Sequence, residues 1–331
     1  KYDWRKRMKL KTGKELHEVS PHIVDDRSTK VIMQDVVIAM IPALLGAIYF
    51  FGINALILTA SSVATCVLSE YIWQRLRKEP LTVGDWSAVV TGMLIAFNVP
   101  ATTPIWAVMI ASVFAIIVVK QFFGGIGSNF ANPALMGRAL LMFLWPASVS
   151  SYVTTYHSGV DAVSSATVLG LYKSGSDLSR FSKWDMFIGN ILGCLGETSA
   201  LLLLIGFAYL CYRKVVNLAA TGAYIITVLA MTFVFARDGL FKGDILTNLL
   251  SGGLILGACF MMTDYASVAP RVKVVLSIIA GLVTAGIRLW GMLPEGVSYG
   301  ILTANCLSGL VETVIRPHIY GVGLKKQKSK I

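Results

Sequence analysis

The stretch GGIGSNFANPALMGRALLMFLWP, Gly124–Pro146, decides how this chain is read, because a glycine-rich polar turn passes there straight from one apolar run into another. Asn132 followed by Pro133 is a helix start: the Asn side chain can accept from a free amide, and proline suits the first helical position. Gly124, Gly125 and Gly127 have no side chains, so their amides can approach a bound group closely. Within a bilayer such a turn must be buried in protein or line a cavity, since lipid cannot satisfy its backbone.

Composition places it there. Of 331 residues, 55% are hydrophobic and 14% charged, too apolar for a soluble domain of this length, which implies an all-α polytopic membrane protein. The net charge of +11 does not indicate a nucleic-acid partner, because Lys and Arg crowd the termini and short loops without interleaved aromatics. It is topology charge, the positive-inside bias. Cys66, Cys194, Cys211, Cys259 and Cys306 stand singly in apolar runs, never as CxxC, and read as packing residues rather than ligands of a metal or cluster. His17, His22 and His318 flank the membrane segments and His157 sits in a loop, which excludes paired haem ligands in the bilayer. The basic N-terminus is not followed by the short apolar run of a cleavable signal peptide.

Residues 1–30 form a basic, cytoplasmic arm. Apolar runs follow at 31–51, 53–74, 86–98, 105–122 and 132–146, the third and fifth short for a hydrocarbon core of about 30 Å. Short runs predict discontinuous helices. Residues 147–184 make the one long hydrophilic loop, and five more runs come at 186–212, 217–235, 245–262, 272–290 and 298–314 before the basic tail, 317–331. Ten spans put both termini on one side. Arg75, Arg77 and Lys78, Lys120 and Arg138, Arg213 and Lys214, and Arg271 and Lys273 all fall on that side, which turns the long loop away from the cytoplasm.

The two halves, 31–146 and 185–316, look alike. DVVIAMIPALLG from Asp35 and DMFIGNILGCLG from Asp185 share Asp, Ile, Ile, Leu and Gly at equal spacing, and VVTGMLI with Gly92 pairs with LLSGGLI with Gly252. Each half then reaches a Gly/Pro turn and an Asn-bearing helix: GGIGSNFANPAL in one, GMLPEGVSYGILTAN in the other. With five spans each, the second copy enters the membrane inverted, and such repeats hold binding sites near the midplane.

Intramembrane carboxylates are costly and are functional or paired. Glu197, Asp264, Glu312 and Asp35 are the candidates for ion coupling, the alternative being interfacial caps or ion pairs with Arg288 or Arg316. Glu70, beside Arg75 and Arg77, reads as interfacial. In the long loop, DAVSSAT (Asp161–Thr167) offers small Ser164, Ser165 and Ala166 beside a Thr167 hydroxyl that could take a phosphoester.

In order, GGIGSNFANPALMGRA, DAVSSAT, GETSALLLLIG from Gly196, CFMMTDYAS from Cys259 and LPEGVSYGILTAN from Leu293 resemble the RnfD/NqrB family, flavin-carrying membrane subunits of Rnf complexes and of sodium-translocating NADH:quinone reductase. The short N-terminal arm, and a third run opening DWSAVVTG instead of an Asn-Glu-Gly pattern, make the chain more RnfD-like. The resemblance implies FMN held covalently on Thr167 by a dedicated flavin transferase, with Asp161, Ser164, Ser165 and Ala166 around it; Ser165 replaces a glycine common in the family. NqrB-type members also hold noncovalent riboflavin, for whose ring Asn129, Asn132 and the nearby Gly124, Gly125 and Gly127 are the candidates here; Arg138 is a further cofactor-binding candidate. It further implies a bacterial cytoplasmic (inner) membrane subunit that works with the C, G, A, E and B subunits of an Rnf complex, passing electrons between ferredoxin and NAD+ coupled to Na+ or H+ transport. A secondary transporter or channel, which inverted repeats would equally suit, is the rival; it has no use for DAVSSAT.

Overall fold

The computed structural model describes residues 28–127, 129–152, 167–175, 182–197, 199–236, 239–262, 270–291, 293 and 295–315. Their regular elements are helices. α1 (Thr29–Phe51) starts where the Ser28 side chain accepts from Val31 N, and it ends at Gly52, whose φ of 71° suits glycine. α2 (Ile53–Arg77) returns antiparallel, with Arg75 and Arg77 in its last turn. These two and α13 (Pro270–Trp290) contain the stretches long and apolar enough to cross a membrane. Leu45, Tyr49, Ile53, Leu68 and Ile72 lie exposed on α1 and α2, as a lipid-facing surface requires.

The third and fifth runs form α3 (Ser87–Phe97) and α5 (Pro133–Leu144). The 11 residues of α3 rise about 16 Å, half of a hydrocarbon core, as their short runs predicted. Between them, α4 (Ile105–Phe114) widens into a π-helical stretch at Ala115–Gln121. α6 (Pro146–Ser150) and α7 (Val168–Ser174) flank the undescribed part of the long loop.

The second half is more broken than its sequence suggests. The run 186–212 reads as one helix, yet α8 (Lys183–Ile188) and α9 (Ala200–Tyr212) are separated by a non-helical passage that begins at Gly189, φ 115°. After α10 (Leu218–Val234), the run 245–262 splits into α11 (Ile245–Leu250) and a single turn, α12 (Leu254–Leu256), which continues as a π-helical turn, Gly257–Met261. The split falls at Gly252, φ 68°. α13 leads to the last helix, α14 (Val297–Val314). The backbone freed at the first break is taken up by the other half: Leu195 N donates to Val99 O at 3.1 Å and Gly196 N to Phe97 O at 3.0 Å. A hydropathy window averages across such breaks, because the polar residues in them, among them Asn190, Glu197 and Ser199 in the first and Ser251 in the second, are flanked by apolar runs.

α1 and α9 join the halves at a glycine. A Cβ on Gly206 would run into the backbone carbonyl of Ala39, and backbone cannot step aside as a side chain can. Gly206→Val is expected to cost about 2 kcal/mol by overpacking, roughly 5 °C in the thermal midpoint of the detergent-solubilised chain. An unchanged midpoint would refute close packing of α1 on α9.

One structural parallel links the halves. Lys120, at the end of α4, reaches the Ser87 hydroxyl at the start of α3, and Arg288, near the end of α13, donates to the carbonyls of Asn248 at 2.7 Å and Ser251 at 3.3 Å, beside the break after α11.

Candidate functional site

Among the described residues, two ionic groups are buried within the fold and a third, Asp35 with Arg213, is half-exposed. The central one is built on α5. The Asn132 side chain caps this helix by accepting from Ala134 N at 3.0 Å and Leu135 N at 3.4 Å, which sets the helical phase and turns Arg138 inward. Arg138 is 5% exposed, and its guanidinium donates to Asn98 Oδ1 at 2.9 Å, Glu197 Oε1 at 3.4 Å and Glu295 Oε2 at 2.7 Å. Each partner comes from an irregular point: Asn98 caps the half-helix α3, Glu197 lies in the passage between α8 and α9, and Glu295 precedes α14.

The break after α11 fits against this cluster only because it lacks side chains. A Cβ at Gly253 would lie 2.7 Å from Glu197 Oε1, and one at Gly252 would lie 3.1 Å from Glu295 Oε1 and 3.3 Å from Arg288 Nη2. Glu197 and Glu295 stand beside each other, one on each Nη atom of the Arg138 guanidinium. Glu197 Oε2 and Glu295 Oε1 are both buried without a hydrogen-bond partner among the described residues.

Beside the cluster opens a cavity of about 230 Å³, lined by Arg138, Met142, Tyr152, Thr167, Glu295 and Tyr299 among others. Thr167 is the N-cap of α7, its Oγ1 accepting from Gly170 N at 3.2 Å. α7 is tied to the second half by Lys173, whose ammonium donates to Ile287 O at 2.8 Å and Leu293 O at 2.7 Å. Lys173→Met takes the ammonium from the Leu293 carbonyl, at about 1–3 kcal/mol, while Ile287 O keeps its bond from Gly291 N. Its expected effect is faster amide exchange in residues 168–174, and exchange equal to wild type would discount the tether.

The second cluster overturns the reading of Glu70 as interfacial. Glu70 is fully buried, and its carboxylate accepts from Lys120 Nζ at 2.8 and 2.9 Å, Gln121 Nε2 at 2.9 Å, Gln74 Nε2 at 3.2 Å and Thr82 Oγ1 at 3.3 Å. Lys120, counted above as topology charge, is only 2% exposed. The reason is helical phase: Glu70 falls on the face of α2 that meets α4, whereas Arg75 and Arg77 point away. The Gly124–Asn129 turn hangs from the same place. Gly124, Gly125 and Gly127 have φ of 102°, 89° and 84°, Gly125 N donates to Lys120 O at 3.0 Å, and the Asn129 amide nitrogen donates to Lys120 O at 3.3 Å and Gly125 O at 3.0 Å.

The third group is Asp35 on α1, which accepts from Tyr209 Oη and Arg213 Nε, each at 3.0 Å. The structure thus puts Arg138 and Thr167 on one cavity, with Glu197 joined to it through Arg138, and leaves Asp35 elsewhere. Glu312 is half-buried on α14. Asp161, Ser164, Ser165, Ala166 and Asp264 lie outside the described residues. Glu295 and Asn98 escaped the sequence reading, although Glu295 is the acidic residue of the LPEG turn that pairs with GGIGSN in the repeat.

Helices long and apolar enough to cross a membrane, with half-helices ending inside the fold at buried charged side chains, are the marks of an integral membrane protein. The chain belongs to the NQR2, RnfD, RnfE family, whose model matches residues 16–321. It is 45% identical over 315 residues to the D subunit of the Na+-translocating ferredoxin:NAD+ oxidoreductase complex of Acetobacterium woodii, covering 94% of this chain and 96% of that one. It is 37% identical over 317 residues to the D subunit of the proton-translocating ferredoxin:NAD+ oxidoreductase complex of Clostridium ljungdahlii, covering 91% and 95%. A third relative, the D subunit of the ion-translocating oxidoreductase complex of Citrobacter koseri, is 29% identical over 343 residues, covering 91% and 97%.

Proposed function

We propose that this chain is the D-type membrane subunit of an ion-translocating ferredoxin:NAD+ oxidoreductase complex, a redox-driven translocase, and that it carries FMN as a phosphoester on Thr167. The observation that carries this reading is the position of Thr167, a buried hydroxyl on a cavity that also holds Arg138, Tyr152 and Tyr299. The donor set fits the group. An esterified Oγ1 can still accept from Gly170 N, the two tyrosines offer aromatic surface to a flat ring, and the guanidinium offers a positive charge.

When bound, a flavin takes one or two electrons and releases them singly or together. The chain's own residues hold and surround it. Thr167 fixes its position through α7, which Lys173 ties to α13. The apolar side chains of Ala139, Met142 and Leu293 keep water from the cavity walls. Arg138 offsets negative charge arriving there, and Asn98, Glu197 and Glu295 keep it in place. No acid, base or nucleophile acting on a substrate is assigned, so this chain alone has no complete active site. Electron donor and acceptor sites belong to the other subunits of the complex, the C, G, A, E and B types.

The Gly124–Asn132 turn remains the candidate holder of a second, noncovalent riboflavin, with Asn129 and the three glycines as its lining. Ten spans in two inverted repeats, with both termini on the cytoplasmic side of the bacterial inner membrane, complete the reading; the matching reach of Lys120 and Arg288 supports the repeat. Thr167 and the glycine turn then lie toward opposite faces, as a transmembrane electron path needs. The test is to purify the chain from cells containing the flavin transferase, run it on a denaturing gel, and read flavin fluorescence and the mass of the Thr167 peptide. Covalent FMN on that peptide is expected, and an unmodified peptide would sink the reading.

A further inference from the structure

Arg138 has two roles that cannot both be fulfilled at full strength. Its guanidinium is the cation facing the Thr167 cavity, and it is also the charge partner of two buried carboxylates, Glu295 at 2.7 Å and Glu197 at 3.4 Å. The two contacts differ in length: Glu295 is held tightly and Glu197 loosely. Glu197, 5% exposed, keeps Oε2 without a partner among the described residues, and Oε1 of the facing Glu295 is likewise unpartnered among them. The two carboxylates share one guanidinium and repel across it. Arg288, whose Nη atoms donate to the neutral carbonyls of Asn248 and Ser251, keeps its charge beside Glu295, so two guanidiniums stand against two carboxylates and the resting cluster is neutral.

We propose that the facing oxygens of Glu197 and Glu295 are a site for one exchangeable monovalent cation, a proton or Na+, occupied when negative charge enters the Thr167 cavity. The proposal rests on the flavin reading of Thr167. One electron from a low-potential iron–sulfur donor, placed on the cavity's cofactor without a proton, adds one negative charge beside Arg138. The guanidinium turns toward that charge and loosens from Glu197, whose 3.4 Å contact is the weaker of its two carboxylate bonds. One cation taken up between Glu197 and Glu295 restores neutrality. When the electron passes on, Arg138 returns and the cation leaves, so one electron and one cation move per cycle and charge balances at each step. The groups facing Glu197 that enter its titration are Arg138 from α5, Glu295 before α14, Arg288 from α13, Tyr152 after α6 and Cys194 in its own passage. Gly252 and Gly253 supply the room at this site, since a side chain at either would occupy the space beside the carboxylates.

The test is a redox titration of the covalent flavin in the assembled complex, at varied Na+ with pH fixed and at varied pH with Na+ absent. Wild type is expected to shift its midpoint potential upward with one of the two cations, approaching 59 mV per tenfold change for a one-electron, one-cation step; which arm responds names the ion. Glu197→Gln is expected to keep the covalent flavin and flatten that slope. Arg138→Lys keeps the charge but cannot fork between two carboxylates, and it too is expected to flatten the slope, which covers the case of a Glu197 variant that does not fold. A slope unchanged in both variants, or absent from wild type with flavin in place, overturns the site and leaves the flavin reading standing. A wild-type chain without flavin on Thr167 overturns both.

Discussion

Thr167→Ala is expected to remove all covalent flavin from the chain while leaving the membrane domain folded. The loss is complete because the phosphoester needs the side-chain oxygen, and no other hydroxyl among the described residues shares its geometry as the cap of α7. The cost to folding is small by comparison. Removing a threonine N-cap forfeits about 1 kcal/mol, and α7 stays tied by Lys173 to the carbonyls of Ile287 and Leu293. Thr167→Ser separates the two effects, since serine keeps both the cap and a hydroxyl for the ester. The readouts are in-gel flavin fluorescence, peptide mass and thermal midpoint. Alanine should give no fluorescence with a midpoint within a few degrees of wild type, on the order of the cap energy, and serine should retain some fluorescence. Fluorescence persisting in the alanine variant would place the flavin on another residue and detach the cavity from the redox chemistry.

Much of the site was legible because it obeys local rules. Asn132-Pro133 spells a helix start, and the structure uses Asn132 as a cap, so its side chain is engaged by α5 rather than free for a ligand. The glycines of Gly124–Gly127 take left-handed φ, as a turn between two apolar runs predicts. What escaped depends on partners far away in sequence. Glu70 beside Arg75 and Arg77 looks interfacial until helical phase is known, and its true partner is Lys120, on another helix. Lys120 and Arg138, taken as markers of the cytoplasmic side, are buried, so the positive-inside count drew on two charges that neutralise carboxylates within the fold. The break between α8 and α9 was invisible for a related reason. Its backbone is satisfied by Phe97 and Val99 from the other half, a partnership no hydropathy window can contain.

Lys120→Met is expected to be among the most damaging single substitutions in the chain, and Glu70→Gln on top of it to repair much of the damage. Among the described residues the ammonium is the only cation in contact with this fully buried carboxylate, so removing it leaves a bare charge in a medium that cannot solvate it. Breaking one side of such a pair costs about 3–5 kcal/mol, whereas removing both charges is often close to neutral. The glutamine introduced by Glu70→Gln would fit the hole: its carbonyl can accept from Gln121 and Thr82, which already donate to Glu70 Oε1. The chain path adds a further effect. Lys120 O accepts from Gly125 N and from the Asn129 amide, so displacement of Lys120 should also disturb the glycine turn. The yield of folded, monodisperse protein after detergent extraction reads the first effect, and amide exchange at 124–127 reads the second. The single variant should lose most folded protein, and the double variant should recover it with a turn that still exchanges faster than wild type, because methionine cannot donate to the Ser87 hydroxyl. If the double variant were as unstable as the single one, burial of an unpaired charge would not be the cause, and the Lys120 contact with Ser87 would carry the stability instead.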